Sequence, residues 1–426
     1  MKNQNLKTRM GRRRNEAQSG FVLIVTSLAI VMMLGFLGLA VDVGFMQFQK
    51  RRIQSAADSA AQGGAFEVLN HSNNATIISA AKHDSALNGF SDGVNGVTVT
   101  VNYPPASGAY ATQTNAVEAI VSQDTPTYFM SLFGFTSAPI AASAVARATS
   151  SANCVYVLDT SSADALVASG NGNAQVRCGI VVDSSNSKAA EANGNGCISA
   201  IAITIVGNYN SSSNGCGLSP TPVTGAPTVS DPLAYLTPPP VGACDHVNYN
   251  QSGGVVTLNP GVYCGGITIS GTSSVLYLNP GTYVMNGGGF SVSSQANIIG
   301  NGVTIYNTGS ASYAYQPISI TGGSTTVLTA PTTGSLAGIL FFQDRSITTT
   351  SKTSVNTIAG GSSTTYTGGL YFPTSALNYS GNSLTNGGYT LIVAKTLSFT
   401  GLSALNADYS TLPGGSPIKG GVAFGE

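Results

Sequence analysis

Residues 154–172, CVYVLDTSSADALVASGNG, align with residues 178–196, CGIVVDSSNSKAAEANGNG, at an offset of 24. The alignment places Cys154 on Cys178, Val157 on Val181, Asp159 on Asp183, Ser161 on Ser185 and Gly170-Asn171-Gly172 on Gly194-Asn195-Gly196. VVTLNPGVYC (255–264) recurs as VLYLNPGTYV (275–284), and ALNYSG (376–381) as TLSFTG (396–401), both at 20. A short alternating strand closed by Asn, Gly or Pro every 20–24 residues is what one coil of a parallel β-helix requires. Inward Val, Ile, Leu, Phe and Tyr then stack into a continuous core, while Gly and Asn take the corners. Residues 151–426 are therefore expected to form a right-handed parallel β-helix (solenoid) of roughly 10 or 11 coils, about 50 Å long. A Greek-key sandwich would also give many short strands, but not constant offsets.

Composition agrees. Charged residues make up 8%, against the usual quarter, with 52 glycines and no Trp, while 42% of residues are hydrophobic and patterned, which excludes disorder. Seven prolines between 218 and 241 cannot join a ladder, so this stretch reads as an excursion from the solenoid.

The other end of the chain follows different rules. Phe21 to Val41 holds no charge, and 21 residues at about 1.5 Å each give roughly 31 Å, enough to cross a bilayer core. Asp42 is the first charge beyond it. Lys2, Lys7, Arg9, Arg12, Arg13 and Arg14 precede the run against one acid, Glu16, which places the N-terminus in the cytoplasm. A cleaved secretory signal is the rival reading, with Gly38-Leu39-Ala40 as small residues for cleavage, but the run is longer than a signal core and passes into a further helical pattern. Ala56, Ala57, Ala60, Ala61 and Ala65 extend that helix outward with a closely packable face, expected to contact other membrane subunits. Ile77 to Leu87 reads as a second helix, and Val97 to Val101 as a strand that pairs with Ala116 to Val121.

The order GRRR, apolar helix, GLAVDVG, then KRRIQSAADSAAQGGA (Gly11 to Ala65) resembles the N-terminal module of Tad/Flp pilus-assembly proteins of the TadE/TadG-like group, and the likeness continues through 95–105, 116–134 and 138–148. It implies a bacterial inner-membrane protein associated with a secreted pilus. Prepilins are cut between Gly and Phe and carry Glu at the fifth mature position; Gly20-Phe21 meets the first condition, but Val25 stands at the fifth position, so an anchored accessory protein is favoured over a filament subunit.

All six cysteines, Cys154, Cys178, Cys197, Cys216, Cys244 and Cys264, lie beyond the membrane run, which suits disulfides in an oxidising periplasm. Six cysteines allow 15 connectivities. The period favours Cys154 with Cys178 and Cys244 with Cys264, as equivalent positions on adjacent coils about 4.8 Å apart, leaving Cys197 with Cys216.

Signs of chemistry are sparse. Asp344-Arg345 is an adjacent acid–base pair, read as a structural or solvated ion pair. Asp159 opens VLDTSS, which resembles the metal-binding Asp-x-Ser-x-Ser start of von Willebrand A-type domains, but Ala163 occupies the third ligand position, and turn capping explains both Asp159 and Asp183 better. His71, His83 and His246 have no metal-ligand spacing, and no phosphate loop or dinucleotide fingerprint occurs. Tyr371, Phe372 and Tyr379 are candidate sugar contacts, with core packing the default.

The expected protein is mostly β with an N-terminal helical membrane anchor. It comprises a cytoplasmic basic tail (1–20), a transmembrane helix (21–41), a periplasmic α+β module (42–150) and a β-helix (151–426) with its excursion (218–241). It uses no cofactor, metal or catalytic residue and binds no nucleic acid. Its partners are the inner membrane and other pilus-assembly proteins, with surface polysaccharide as a further candidate. The alternatives are a tethered β-helix enzyme acting on polysaccharide and a carbohydrate-binding adhesin.

Overall fold

The computed structural model describes residues 16–321, 325–348, 354–359, 364–381 and 388–425, with side chains from Phe21 onward and without that of Gly381. The basic residues Lys2 to Arg14, on which the orientation argument rests, lie outside the described residues. The chain divides into two compact units, one of residues 1–112, 116–147 and 422–426, the other of 113–115 and 148–421.

In the first unit one helix, α1 (Glu16–Leu69), runs for 54 residues, about 80 Å at 1.5 Å each. The apolar run and the alanine-rich segment are thus continuous. A second helix, α2 (Asn74–Leu87), begins three residues before Ile77 because Asn73 caps it, its side-chain oxygen accepting the Thr76 N–H at 3.0 Å. Three strands follow: β1 (Val97–Asn102), β2 (Ala116–Pro126) and β3 (Ser137–Ser150). β1 and β2 are antiparallel with Val99 opposite Val121, β2 and β3 are antiparallel, and a C-terminal strand (Lys419–Gly425) completes the order on the far side of β3. The alternation of VTVTV buries Val97 and Val99 with Val121 and Ala142 against Ile53, Ala56 and Ala57 of α1.

The second unit is a stack of parallel coils. Among the described residues the strands fall in three columns, and the first column holds ten strand rungs, 246–247, 261–264, 281–286, 303–308, 339–343, 368–372, 390–394, 153–157, 179–182 and 202–205, with Val223 bridging Thr204 as an eleventh. The order of those rungs is not the order of the chain. Residues 153–219 wind three coils upward from the entry point. Residues 246–405 wind seven more in the same direction from the far end, and the last of them (390–405) lies beneath the first: Ile392 opposite Val155, Leu397 opposite Leu166, Leu402 opposite Asn173. The chain therefore enters and leaves the stack on neighbouring layers in its middle. Residues 224–245 form the return, which must span ten rises of about 4.8 Å, some 48 Å. Twenty-two residues reach roughly 73 Å when extended, so the return is not taut.

Each residue of the repeated Gly-Asn-Gly has a separate reason to be there. Gly170 and Gly194 turn the corner at φ of 62° and 61°. Asn195 donates from Nδ2 to Asn171 Oδ1 at 3.0 Å, tying one coil to the next. A Cβ on Gly196 would lie 2.2 Å from the Ala168 carbonyl oxygen, and one on Gly172 would lie 2.3 Å from that of Phe399, in the coil beneath. The Asn-Pro-Gly corners use the same device, with Asn279 donating to Asn259 at 2.8 Å.

The register departs from the constant offset in the first column. Leu166 opposite Ala190 and Asn173 opposite Cys197 keep 24, but Val157 lies opposite Val182, an offset of 25, because the corner between Val157 and Leu166 holds one residue more than the corner between Val182 and Ala190; a bulge at Cys154 adds a further residue, putting Asn153 opposite Gly179. Asp159 and Asp183 are consequently not equivalent.

Candidate functional site at the foot of the anchor helix

Two halves of α1 are treated differently. Phe21, Leu23, Met32, Phe36 and Leu37 are exposed, and α1 is the helix among the described residues long and apolar enough to cross a membrane. Phe21 and Val41, the two ends of the expected span, are both exposed on it. Beyond the span, Ile53, Ala56, Ala57, Ala60, Ala61, Ala65 and Val68 recur every three or four residues and are buried. They pack within their own module, Ala60, Ala61 and Ala65 against Ala81 of α2 and Ala119 and Ala146 of the sheet. This corrects the expectation that the small-residue face meets other membrane subunits. Small side chains let α1 approach the sheet closely, and that approach occupies the face: a Cβ on Gly64 would stand 2.8 Å from Val117.

Asp42 joins the two halves. It is 1% exposed, and its carboxylate accepts three consecutive backbone N–H groups, from Tyr128 at 2.9 Å, Phe129 at 2.9 Å and Met130 at 2.7 Å. These open the single turn Met130–Phe133 in the loop between β2 and β3, whose neck is closed by the Thr127 N–H donating to the Thr136 carbonyl at 3.1 Å. One turn below Asp42, Gly38 faces the Phe129 ring so closely that a Cβ would sit 2.7 Å from it. One turn above, the Phe45 and Tyr128 rings meet edge to face, centroids 5.3 Å apart. Three successive contacts thus fix the loop to α1 where the apolar run ends. In the sequence Asp42 marks only the end of the run; the absence of any charge between Asp124 and Arg147 was the available sign that this loop had unusual surroundings.

In the coil stack, disulfides join Cys154 to Cys178, Cys197 to Cys216 and Cys244 to Cys264, with Cα separations of 5.7, 4.8 and 5.6 Å. Cys244 and Cys264 are not equivalent positions: Cys264 lies opposite Val247, so this bridge reaches back diagonally from the segment preceding the first rung. The 20-residue repeat misleads here because it holds in the third column, Val255 opposite Val275, whereas His246, beside this bridge, lies opposite Tyr263, an offset of 17.

The charged candidates are engaged in structure. Asp159 accepts the N–H groups of Ser161 and Ser162 at 2.9 and 2.6 Å; burial alone would raise its pKa, but these bonds outweigh it and hold the carboxyl below its ordinary value. Asp183 caps no turn of its own. Its carboxylate accepts the Val229 N–H of the return segment at 3.0 Å, and burial pushes its pKa up. Asp344 and Arg345 do not pair with each other. Asp344 accepts the Thr308 hydroxyl at 2.7 Å and the Ser346 N–H at 2.9 Å, while Arg345 turns the other way to Asp231 at 3.8 Å and donates to the carbonyls of Leu233 at 2.7 Å and Leu236 at 3.0 Å. Neighbouring residues on a strand face opposite sides, which separates them. Tyr371, Phe372 and Tyr379 are fully buried and not available to a sugar; Tyr371 lies under the return segment, its hydroxyl donating to Asp231 and accepting from Arg345. The His246 ring stacks on Tyr263 at 4.8 Å. Among the described residues no three His, Cys, Asp or Glu side chains converge to hold a metal ion.

No curated protein and no solved structure matches the chain. Two family signatures do, and both fall in the first unit. Residues 20–66 match the Tad family, Flp pilus-assembly TadE/G-like, and residues 57–146 match Tad_C, Tad-like Flp pilus-assembly. The first covers α1 with Gly38 and Asp42; the second covers α2, the β1–β3 sheet and the loop that Asp42 holds. Over its N-terminal region the chain therefore carries the paired Tad modules of Flp pilus-assembly proteins.

Proposed function

We propose that the chain is a non-catalytic, membrane-anchored component of Flp pilus assembly that acts as a periplasmic scaffold. The observation that carries this reading is the Asp42 junction: a carboxylate and three N–H groups lock the Tad module to the helix that anchors it. A module fixed at that height presents its surface to other pilus-assembly proteins at the inner membrane. The coil stack supports the same reading, because Asp159, Asp183 and Arg345 are committed to a turn and to the return segment. The N-terminus lies in the cytoplasm, and the Tad module beyond Asp42 and the coil stack lie in the periplasm, where the three disulfides form.

The test is a deletion strain complemented with the intact chain or with a chain lacking 148–421, with surface pili counted by electron microscopy. Pili are expected to disappear in the null strain and in the truncation, and to return with the intact chain. Wild-type piliation in the null strain would overturn the role. A periplasm-dependent reporter fused after Glu426 should be active; an inactive fusion would overturn the orientation.

A further inference from the structure

We propose that residues 128–135, YFMSLFGF, form a foot that enters the bilayer beside α1, with lipid acyl chains as its ligand and Asp42 as the lock that holds it there. The proposal rests on the reading of α1 as a membrane anchor and adds a second point of insertion to it.

Depth is the first argument. Phe129 packs on Gly38, four residues before Asp42, so its ring lies about 6 Å inside the apolar run. A side chain that touches the helix at that level is already at or below the bilayer surface when the run is embedded. The second argument is what the loop leaves uncovered. Leu132 is 80% exposed, Phe133 81% and Phe135 62%, while Tyr128 and Phe129 are also exposed, and no charged residue occurs from 125 to 146. Four aromatic residues in eight positions match the composition of the membrane–water boundary, where apolar rings insert and polar edges remain wet.

The third argument concerns the backbone. Non-helical N–H groups near the hydrocarbon must be satisfied by protein, since water is scarce there. Those of Tyr128, Phe129 and Met130 are taken by Asp42, and the Thr127 N–H by the Thr136 carbonyl. The loop thus presents apolar side chains outward with its leading N–H groups already paired. A protein partner could also cover such a surface, but the contact with Gly38 places it where lipid is the surrounding medium.

The chain has no Trp, so a single introduced indole reports without background. The full-length protein is reconstituted alone in phosphatidylcholine vesicles whose acyl chains carry bromine. Three variants are compared: Leu132→Trp in the foot, Val31→Trp in the middle of the span, and Val94→Trp, an exposed site elsewhere in the module. Leu132→Trp is expected to emit at short wavelength and to be quenched at least about twofold by shallow bromines, Val31→Trp by deep ones, and Val94→Trp by neither. Phe133→Trp, which keeps an aromatic ring, should reproduce the foot result and guards against misfolding at Leu132. Quenching at Val31→Trp with full emission from both foot variants would overturn the foot while leaving the anchor intact. Full emission from Val31→Trp as well would overturn the anchor and the foot together.

Discussion

The guanidinium of Arg345 lies 5.5 and 5.2 Å from the ring centroids of Phe342 and Tyr371 and donates to two carbonyls of the return segment. A planar fork can do both at once; an ammonium cannot. Arg345→Ala leaves the Leu233 and Leu236 carbonyls without this donor and should destabilise the coil stack by about 2–4 kcal/mol in urea unfolding, while Arg345→Lys should recover less than half. An unchanged midpoint for Arg345→Ala would show that the return is held elsewhere. Lys419 makes a pH-dependent prediction. Burial lowers its pKa from 10.5 to about 8. Between those values the unfolded chain retains a proton that the folded chain has released, so stability should rise with pH from about 8 to about 10.5. Lys419→Met should flatten that rise, and an identical slope in the variant would mean that another group causes it.

Helix α1 is one element under two sets of constraints. Below Asp42 it needs apolarity on every side, with Gly38 kept bare for Phe129; above it, side chains small enough for β2 to approach. Ala60 and Ala61, at 0% exposure, have no room for growth. Ala60→Leu should therefore cost the Tad module about 1–3 kcal/mol through overpacking, whereas Gln62→Leu, on the exposed face, should be nearly neutral by the same urea titration. Equal effects at the two positions would contradict the packing described for this face. The β2–β3 loop shows the complementary case, an element too short to be stable alone, whose shape comes from one carboxylate on α1.

For the coil stack as a whole, the notable property is its order. Residues 390–405 carry residues 153–176 on their edge, so the middle of the stack is built from segments more than 200 positions apart. None of the three disulfides spans Val241, since two lie before it and one after. A protease site inserted in the exposed stretch between Val241 and Gly242 should, after cleavage, give two bands on a non-reducing denaturing gel. The fragments should nevertheless elute together under native conditions, held by the ladder between 390–405 and 153–176 and by Arg345. Separation of the fragments in native buffer would argue against that junction.

What the sequence determined by itself was everything with a short range. Alternating strands, Gly-Asn-Gly corners and the 20- and 24-residue offsets prescribe a coil, because each depends on residues within one turn of the stack. An uncharged run followed by regularly spaced alanines likewise prescribes a long helix with two kinds of surface. Tertiary structure alone decided which coil rests on which. Every coil offers its neighbour much the same backbone edge, so the pairing of 392 with 155 carries no local label. One extra residue in the corner between Val157 and Leu166 then set the first column at an offset of 25, separating Asp159 from Asp183, and the latter reaches Val229. Asp42, Arg345 and the foot were hidden for the same reason. Their partners lie 86 to 112 positions away, and a carboxylate or guanidinium that satisfies distant backbone groups leaves no periodicity behind it.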